Sequence, residues 1–222
     1  MFTGGLIALI FNTALCAEFV HSNNLIANSS FEAEVEKLGV ELEQKTGVSL
    51  KLVILKNLPD SSIVNCENQL LKKFTKPTIL LIFCESPKMV DIATNDTSLY
   101  TLFDKKQVLA PTASAVQAFM LALFYSHDFD SFKEMASDYG GTIVPLLAQK
   151  SKDEELHGKY AGALFNGYAD IAHQVATTKG TELENDVGNA NQNSIFVVKI
   201  VFYGFIVYAL VMFIRRKFVS KK

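Results

Sequence analysis

The stretch VSLKLVIL, Val48 to Leu55, decides the fold class of this chain. It is apolar and rich in β-branched residues, which indicates a strand covered on both faces. The preceding segment, Ser29 to Gly47, carries apolar residues at helical spacing. It begins with Ser29 and Glu32 at the spacing of a capping box and ends at a glycine. An amphipathic helix followed by a buried strand predicts an α/β fold.

The segments that follow continue the alternation of helix and strand. The turn signal NLPDSS leads into a helix through NCENQLLKKF, which ends before Pro77 because the residue preceding a proline disfavours helical geometry. TILLIFC is a second buried strand, and a short turn connects it to MVDIATN, a third strand that we expect to be antiparallel. The order helix, strand, helix, strand, strand predicts a small mixed sheet sandwiched by helices.

The second half of the domain is predicted to consist of extra helices. Helical patterns extend over ASAVQAFMLALFYS, FDSFKEMASDYGGTIVPLLAQK and EELHGKYAGALFNGYADIAHQVAT. Pro145 and the pair Gly140–Gly141 should divide the middle one. In the first, large apolar residues recur at helical spacing and are expected to lie in the core. They are Phe119, Met120, Leu123, Phe124 and Tyr125.

The C-terminal region contains a predicted transmembrane helix. Residues 195–214 form a run of 20 residues with one charge, Lys199, and a helix of that length reaches roughly 30 Å, the thickness of a hydrocarbon core. The stem of Lys199 can carry its ammonium group to the headgroups. A basic tail, residues 215–222, follows, and cytoplasmic flanks carry such an excess of positive charge. The tail's basic residues are Arg215, Arg216, Lys217, Lys221 and Lys222.

The charge of the remaining chain is consistent with an exported domain. All 23 acidic residues precede Ile195, whereas 6 of the 21 basic residues follow it, which leaves 15 basic residues and a net charge of −8. Nucleic-acid binding needs a basic surface and is not expected. We expect a single-pass protein of the inner (cytoplasmic) membrane, with the lipid bilayer as a partner. Its globular domain would be periplasmic or otherwise extracytoplasmic, and its C-terminus cytoplasmic.

The N-terminus resembles an export signal. Residues 1–17 combine an apolar run with a small-residue exit at Ala17, which is typical of a secretory signal peptide; an uncleaved anchor is the alternative. The remaining length suffices for one globular domain, residues 24–176. Residues 177–194 are polar and rich in Asn and Gly, which predicts a flexible linker.

Motifs that carry chemistry are sparse. The four histidines form no zinc-binding pattern, and the sequence has no nucleophile elbow or phosphate-binding loop. Oxygen ligands for a hard cation such as Ca²⁺ occur in TND and HDFD, although such residues at helix starts are ordinarily caps. We expect no cofactor, with a divalent cation as the alternative. The candidate ligands are Asp96, His127, Asp128 and Asp130.

Two cysteines remain once the signal is set aside, and an exported compartment permits a disulfide. Cys66 opens the helix between the two buried strands, and Cys84 closes the second of these strands. Both should lie at one edge of the sheet, because the helix begins near the end of the first strand and the second strand returns to that end. We hypothesise a Cys66–Cys84 bridge, with two buried thiols as the alternative.

The order of these elements resembles the TPM domain family. The resemblance rests on EQKTGVSLKLVIL, TILLIFC, KMVDIATN and HDFDSFKEMASDYGGTIVPLL, and it covers residues 24–150. Bacterial members of the family combine a signal, a TPM domain and a C-terminal span. The resemblance implies a TPM-like sandwich and, as in several members, an accessory role toward another protein.

The sequence departs from the family pattern in two places. Where members carry an Asp-Asn-Gly turn before the central strand, this chain has Lys76, Pro77 and Thr78, and TNDTSLYTLF replaces a glycine-rich, acidic segment. In the family, those segments are associated with divalent-metal binding and acid phosphatase activity. We therefore expect a non-enzymatic assembly or regulatory factor for an envelope membrane protein. The alternative is a metal-dependent, phosphatase-like hydrolase.

Overall fold

The computed structural model describes residues 18–59, 62–185, 203–206, 208 and 212. Its fold is α/β, as the sequence predicts, with a four-stranded mixed sheet and helices. The strands follow one another across the sheet in chain order. The first three are parallel, and the fourth is antiparallel to the third.

The helices and strands have the following bounds. The strands are β1 Val20–Asn23, β2 Ser49–Asn57, β3 Thr78–Ser86 and β4 Met89–Thr94. Between residues 18 and 185, the α-helices that the structure describes are α1 Ser29–Thr46, α2 Ile63–Leu71, α3 Lys105–Val108, α4 Ala115–Tyr125, α5 Phe129–Ser137, α6 Val144–Leu147 and α7 Leu156–Thr178.

The side chains of β3 show how the sheet separates two cores. Ile79, Leu81 and Phe83 lie in the larger core, to which α1 and α7 contribute. Leu80 and Ile82 lie in the smaller core together with residues of α2. Successive side chains of a strand point to opposite faces, and here both faces are covered. This double burial explains why TILLIFC is apolar without interruption.

Capping residues set both ends of α1. Asn28, not Ser29, is the N-cap: it is extended, and its side chain accepts hydrogen bonds from the backbone N–H groups of Ser30 and Phe31. The predicted capping box at Ser29 is therefore wrong, because the neighbouring asparagine already satisfies the free N–H groups of the first turn. At the other end Gly47 has a φ of 73°, a left-handed conformation that glycine adopts without strain.

The sequence patterns do not predict β1. The strand has only four residues and no clear alternation, so it gives no periodic signal. It pairs with β2, and the chain just before it is fixed by Glu36 of α1. The buried Glu36 carboxylate accepts hydrogen bonds from the N–H groups of Phe19 (2.7 Å) and Val20 (2.8 Å). The domain start predicted at residue 24 therefore omits one strand of the sheet.

A buried tyrosine fastens α7 to the sheet. The Tyr168 hydroxyl donates a hydrogen bond to the backbone oxygen of Leu50 in β2, at 2.8 Å. Burial, together with nearby Glu36 and Glu43, raises the pKa of Tyr168 well above its ordinary value. The hydroxyl therefore stays protonated and remains a donor.

The helical pattern that begins at Phe129 is divided as predicted. The chain leaves α5 after Ser137 and re-enters a helix, α6, in which Pro145 lies in the first turn. At Gly141, a Cβ atom would lie 1.8 Å from the backbone oxygen of Ala110. Only glycine permits this close approach of two backbone segments.

The large apolar residues of α4 are not in the core, and the expectation that they pack there is wrong. Only Ala118 and Ala122 of this helix are buried. The helix packs on α5, which has no buried residue of its own. Helical spacing predicts that one face of a helix is buried, but it does not predict which element buries that face. In α4 the burying element is α5, a single short helix.

The predicted linker begins inside the folded domain. Helix α7 continues to Thr178, and the chain as far as Asn185 lies against α1. Residues 186–194, and all but a few of residues 195–214, lie outside the described residues. Among the helices that the structure describes, none has both the length and the apolarity that crossing a bilayer requires.

Candidate functional site

Helices α4 and α5 form a helical hairpin, residues 115–137, which we call the apolar hairpin. Each helix begins at a capping residue: Ser114 accepts a hydrogen bond from Gln117 N–H, and Asp128 accepts one from Ser131 N–H. The Phe119 ring packs edge-on against a ring of α5, with centroids 5.7 Å apart. Local capping and a mutual contact therefore define the hairpin.

The apolar hairpin exposes large apolar side chains to an unusual degree. The exposed fraction is 71% for Phe124 in α4 and 78% for Phe129 at the start of α5. A contiguous exposed patch of this kind marks an interaction surface more often than a scattered apolar residue does. The exposed members are Val116, Phe119, Met120, Leu121, Leu123, Phe124, Tyr125 and Phe129.

The two ends of the apolar hairpin meet at the domain surface. Thr112 and Tyr139 form a parallel β-bridge, and the Thr112 hydroxyl donates a 2.8 Å hydrogen bond to the backbone oxygen of Asp138. The Gln107 amide of α3 holds the segment just beyond, donating to the backbone oxygen of Gly140. The hairpin is thus an insertion with adjacent ends.

The candidate cation ligands serve as caps. Asp96 accepts a hydrogen bond from Ser98 N–H, which lowers the pKa of its carboxyl group. Asp128 accepts one from Ser131 N–H, with the same effect on its pKa. Asp130 lies in the first turn of α5.

The structure does not gather these candidates into a metal site. His127 and Asp130 are exposed beside the Asp128 cap. Among residues 18–59 and 62–185 and the few described later, no group of three or more His, Cys, Asp or Glu side chains could hold a metal ion. Cation binding at these residues stays the alternative to the expected absence of a cofactor.

The two cysteines lie in the same layer of the fold. Cys66 lies on α2 and belongs to the smaller core, and Cys84 shares the strand face of Leu80 and Ile82, which also line that core. Both are buried, and no disulfide joins them in this structure. Burial raises the pKa of the Cys84 thiol, which donates a hydrogen bond to the backbone oxygen of Ser86 at 3.3 Å.

The Cys66–Cys84 bridge stays a prediction. We expect the exported protein to show no reactive thiol after denaturation without reductant, because both side chains lie on one face of the sheet. Thiol titration of the unreduced, denatured protein measures this. Two reactive thiols would contradict the bridge.

A comparison with protein-family models and with curated proteins finds no match for this chain.

A buried carboxylate between α2 and β4 was not evident from the sequence. Glu67 is 4% exposed, and its Oε1 atom has no hydrogen-bond partner among the described residues. Burial, and secondarily the charge of Asp91, raises the pKa of Glu67 to about 7, although Lys105 opposes this. Lys105 itself forms a 2.6 Å ion pair with Asp91. Glu67 thus lies beside an ion pair and takes no part in it.

A second carboxylate holds the chain that leaves α7. Glu41 of α1 accepts hydrogen bonds from the backbone N–H groups of Glu184 and Asn185 and from the Asn185 side chain, and pairs with Lys45 at 2.8 Å. Burial alone would raise the pKa of Glu41, but these donors lower it to about 2. The Lys45 ammonium also donates to the backbone oxygen of Glu182. We call this arrangement the Glu41 clamp.

A shallow concavity of about 620 Å³ lies between the start of β4, α6 and the first turn of α7. Lys88 and Lys159 line it, and the Lys159 ammonium donates to the backbone oxygens of Leu147 (3.4 Å) and Gln149 (2.9 Å). Burial, and then the charge of Lys88, lowers the pKa of Lys159. The lysine at the first turn of α7 therefore binds the end of α6, which is a structural role.

Proposed function

We propose that this chain is a membrane-anchored accessory factor of the cell envelope. Residues 195–214 cross the inner membrane once, with Lys199 at the entry and Arg215, Arg216 and Lys217 on the cytoplasmic side. The folded domain faces the periplasm or the outside. There it assists the assembly or regulation of an envelope membrane protein.

The apolar hairpin is the observation that carries the proposal. The fold of the described domain leaves eight large apolar side chains of α4 and α5 exposed. A domain that leaves such a surface uncovered works in contact with an apolar neighbour. A tether to a membrane supplies such neighbours at high effective concentration.

The resemblance to the TPM family adds support from a second direction. The domain has the helix, strand, helix, strand, strand order on which that resemblance rests. We propose that the sandwich is TPM-like and that its role is the accessory one found in several members. The competing proposal, a metal-dependent hydrolase, needs ligands beyond the caps at Asp96 and Asp128.

Cross-linking in native membranes tests the proposal. The full chain is treated with a lysine-reactive cross-linker and affinity-purified, and we expect one envelope membrane protein to be recovered in stoichiometric amount. Recovery should fall when Leu123 and Phe124 are both changed to Ser, because the domain then loses the apolar contact, with protein or with the bilayer, that holds it beside its neighbour. The matched control is Val64→Ser, since Val64 is an apolar residue of α2 with an exposed fraction of 54%.

Two results would overturn the proposed function. One is a topology reporter fused behind Lys222 that is active only in the export compartment. The other is turnover of a phosphomonoester by the full chain that chelation abolishes, which would favour the hydrolase. Equal recovery of the partner from the serine variant and from wild type would remove the hairpin from the proposal.

A further inference from the structure

We infer that α4 of the apolar hairpin lies in the boundary between headgroups and acyl chains of the membrane that anchors the protein. Bilayer lipid would then be the occupant of this surface. The inference rests on the proposed membrane anchor and adds a second, reversible membrane contact made by the folded domain itself.

The distribution of exposed residues around α4 favours lipid over a protein groove. At about 100° per residue, the large apolar residues from Phe119 through Val116 to Tyr125 cover an arc of about 240°, in which the one polar residue is Gln117. The two buried alanines, Ala118 and Ala122, occupy the remaining arc, and Phe119 at its border also packs on a ring of α5. A protein groove holds one stripe of a helix, whereas acyl chains surround an inserted helix on every open side. An exposed apolar arc this wide therefore favours lipid acyl chains over a protein groove as the occupant.

The side chains of the two helices match the chemistry of a membrane surface. Phe124, Tyr125 and Phe129 cluster where α4 ends and α5 begins. Tyr is favoured at the headgroup level, and Phe is typical of the buried face of an interfacial helix. Helix α5 carries charged, exposed residues such as Lys133 and Glu134, which can stay in water. The hairpin therefore combines an apolar helix, α4, with a helix, α5, that carries charged residues.

The length of the connecting chain keeps the folded domain near the bilayer. The chain leaves the domain at the Glu41 clamp, and nine residues, 186–194, separate it from the predicted span. At 3.3–3.6 Å per residue, nine residues reach at most about 32 Å. This distance is smaller than the diameter of a domain of this size, roughly 40 Å. Even weak insertion is therefore favoured by proximity.

The charge of the domain determines which lipids are needed. The part of the chain before the span has 15 basic and 23 acidic residues, a net charge of −8. Attraction to anionic headgroups therefore contributes nothing, and the contact depends on burial of apolar area. Binding should need neither anionic lipid nor low salt.

Tryptophan fluorescence with brominated lipid tests the inference. The chain has no Trp, so Phe124→Trp provides a single reporter on α4. The full chain is reconstituted in vesicles of phosphatidylcholine or of its dibrominated form. We expect blue-shifted emission that brominated lipid quenches severalfold, and the same from Phe129→Trp. The matched control is Tyr100→Trp, at a ring with an exposed fraction of 39% on the 3-10 turn after β4, whose emission should stay unquenched.

Each alternative outcome overturns the inference in a recognisable way. Emission that brominated lipid leaves unchanged but that shifts with the protein-to-lipid ratio would assign the surface to a second copy of the chain. A blue shift of the Trp emission that is seen in native membranes and not in pure lipid vesicles would assign the surface to a protein partner. Failure of the protein to float with the vesicles would overturn the proposed anchor as well. Failure of quenching in floated vesicles overturns only the lipid contact.

Discussion

Glu67 shows how a single residue can make the stability of this domain depend on pH. The buried carboxyl group has a pKa of about 7, compared with 4.5 for the ordinary group. The folded state therefore keeps a proton that the unfolded state releases, and the free energy of unfolding decreases as pH rises from about 4.5 to about 7. The stability lost over this range stays lost at higher pH.

The Glu67→Gln variant should remove this dependence. At pH 8 we expect its free energy of unfolding to exceed that of wild type by about 1–3 kcal/mol, because a neutral amide avoids burying a charge. At pH 4 the two proteins should be nearly equal. Urea titration of the full chain in detergent, followed by circular dichroism, measures both. Glu34→Gln, on the exposed face of α1, is the control and should change little.

The Glu41 clamp acts in the opposite sense. Its carboxyl group has a lowered pKa, so the clamp is fully formed above about pH 4.5 and is lost as pH falls toward 2. Each hydrogen bond to a charged group contributes about 1.5 kcal/mol, so the loss of even one of these bonds corresponds to roughly tenfold more opening.

Glu41→Ala should therefore release the chain after α7. We expect a glutamate-specific protease to cleave after Glu182 and Glu184 at least about tenfold faster in the variant, which loses three hydrogen bonds at once. Timed digestion of the full chain at neutral pH, read by mass spectrometry, gives the rates. The control is Glu34→Ala on the same helix. Equal cleavage in the variant and in wild type would show that the clamp does not hold these residues.

At the scale of the elements, two helical glycines have opposite surroundings. A Cβ at Gly39 of α1 would lie 2.5 Å from the Phe19 ring and from the Tyr168 hydroxyl. At Gly162 of α7, nothing lies within 4 Å of the added atom. Alanine favours a helix over glycine by about 1 kcal/mol. Packing around the added Cβ therefore decides whether each Gly→Ala substitution raises or lowers the free energy of unfolding.

We expect Gly39→Ala to destabilise the protein by about 1–3 kcal/mol, because it would force α1 away from α7 and from the chain before β1. Gly162→Ala should stabilise it by about 0.5–1 kcal/mol. Thermal unfolding of both variants under one buffer condition makes the comparison. A stable Gly39→Ala variant would mean that the Phe19 ring and Tyr168 have room to move.

The elements also show what periodicity can predict. The helix at Ser29–Thr46 and the strands β2 and β3 follow from pattern alone, because helix faces and double burial leave direct traces in the sequence. The antiparallel orientation of β4 is confirmed. The pairing of β1 and the exposure of α4 depend on contacts between distant segments, which a local pattern does not encode.

At the scale of the whole molecule, the apolar hairpin is separable from the sheet domain. Its ends are joined by the bridge between Thr112 and Tyr139, and its helices pack mainly on each other. The larger core contains no residue of α4 or α5. The hairpin can therefore change its surroundings without disturbing the sheet.

Replacing residues 113–138 by a short Gly-Ser turn should leave the sheet domain folded. We expect one cooperative thermal transition, with a midpoint close to that of wild type, because neither core loses a side chain. Circular dichroism of the full chain in detergent measures it. A broad transition would show that the hairpin is required for the fold.

The candidate site illustrates the same limit. The sequence identified acidic residues in short stretches, and the structure uses Asp96 and Asp128 as caps. Glu41 and Glu67 were not identified, because each resembles an ordinary residue on the polar side of a helix. Their environments are created by segments far away in the chain.

The Glu41 clamp also determines how mechanical load enters the domain. Any pull on the chain beyond Asn185 is first borne by the hydrogen bonds to one carboxylate, and only afterwards by the end of α7. Under force these hydrogen bonds would break one after another. The sheet would bear no load during this step, because it is joined to α7 at Tyr168, which lies earlier in the chain. Opening of the clamp would then lengthen the connecting chain by a few residues before any force reaches the folded domain.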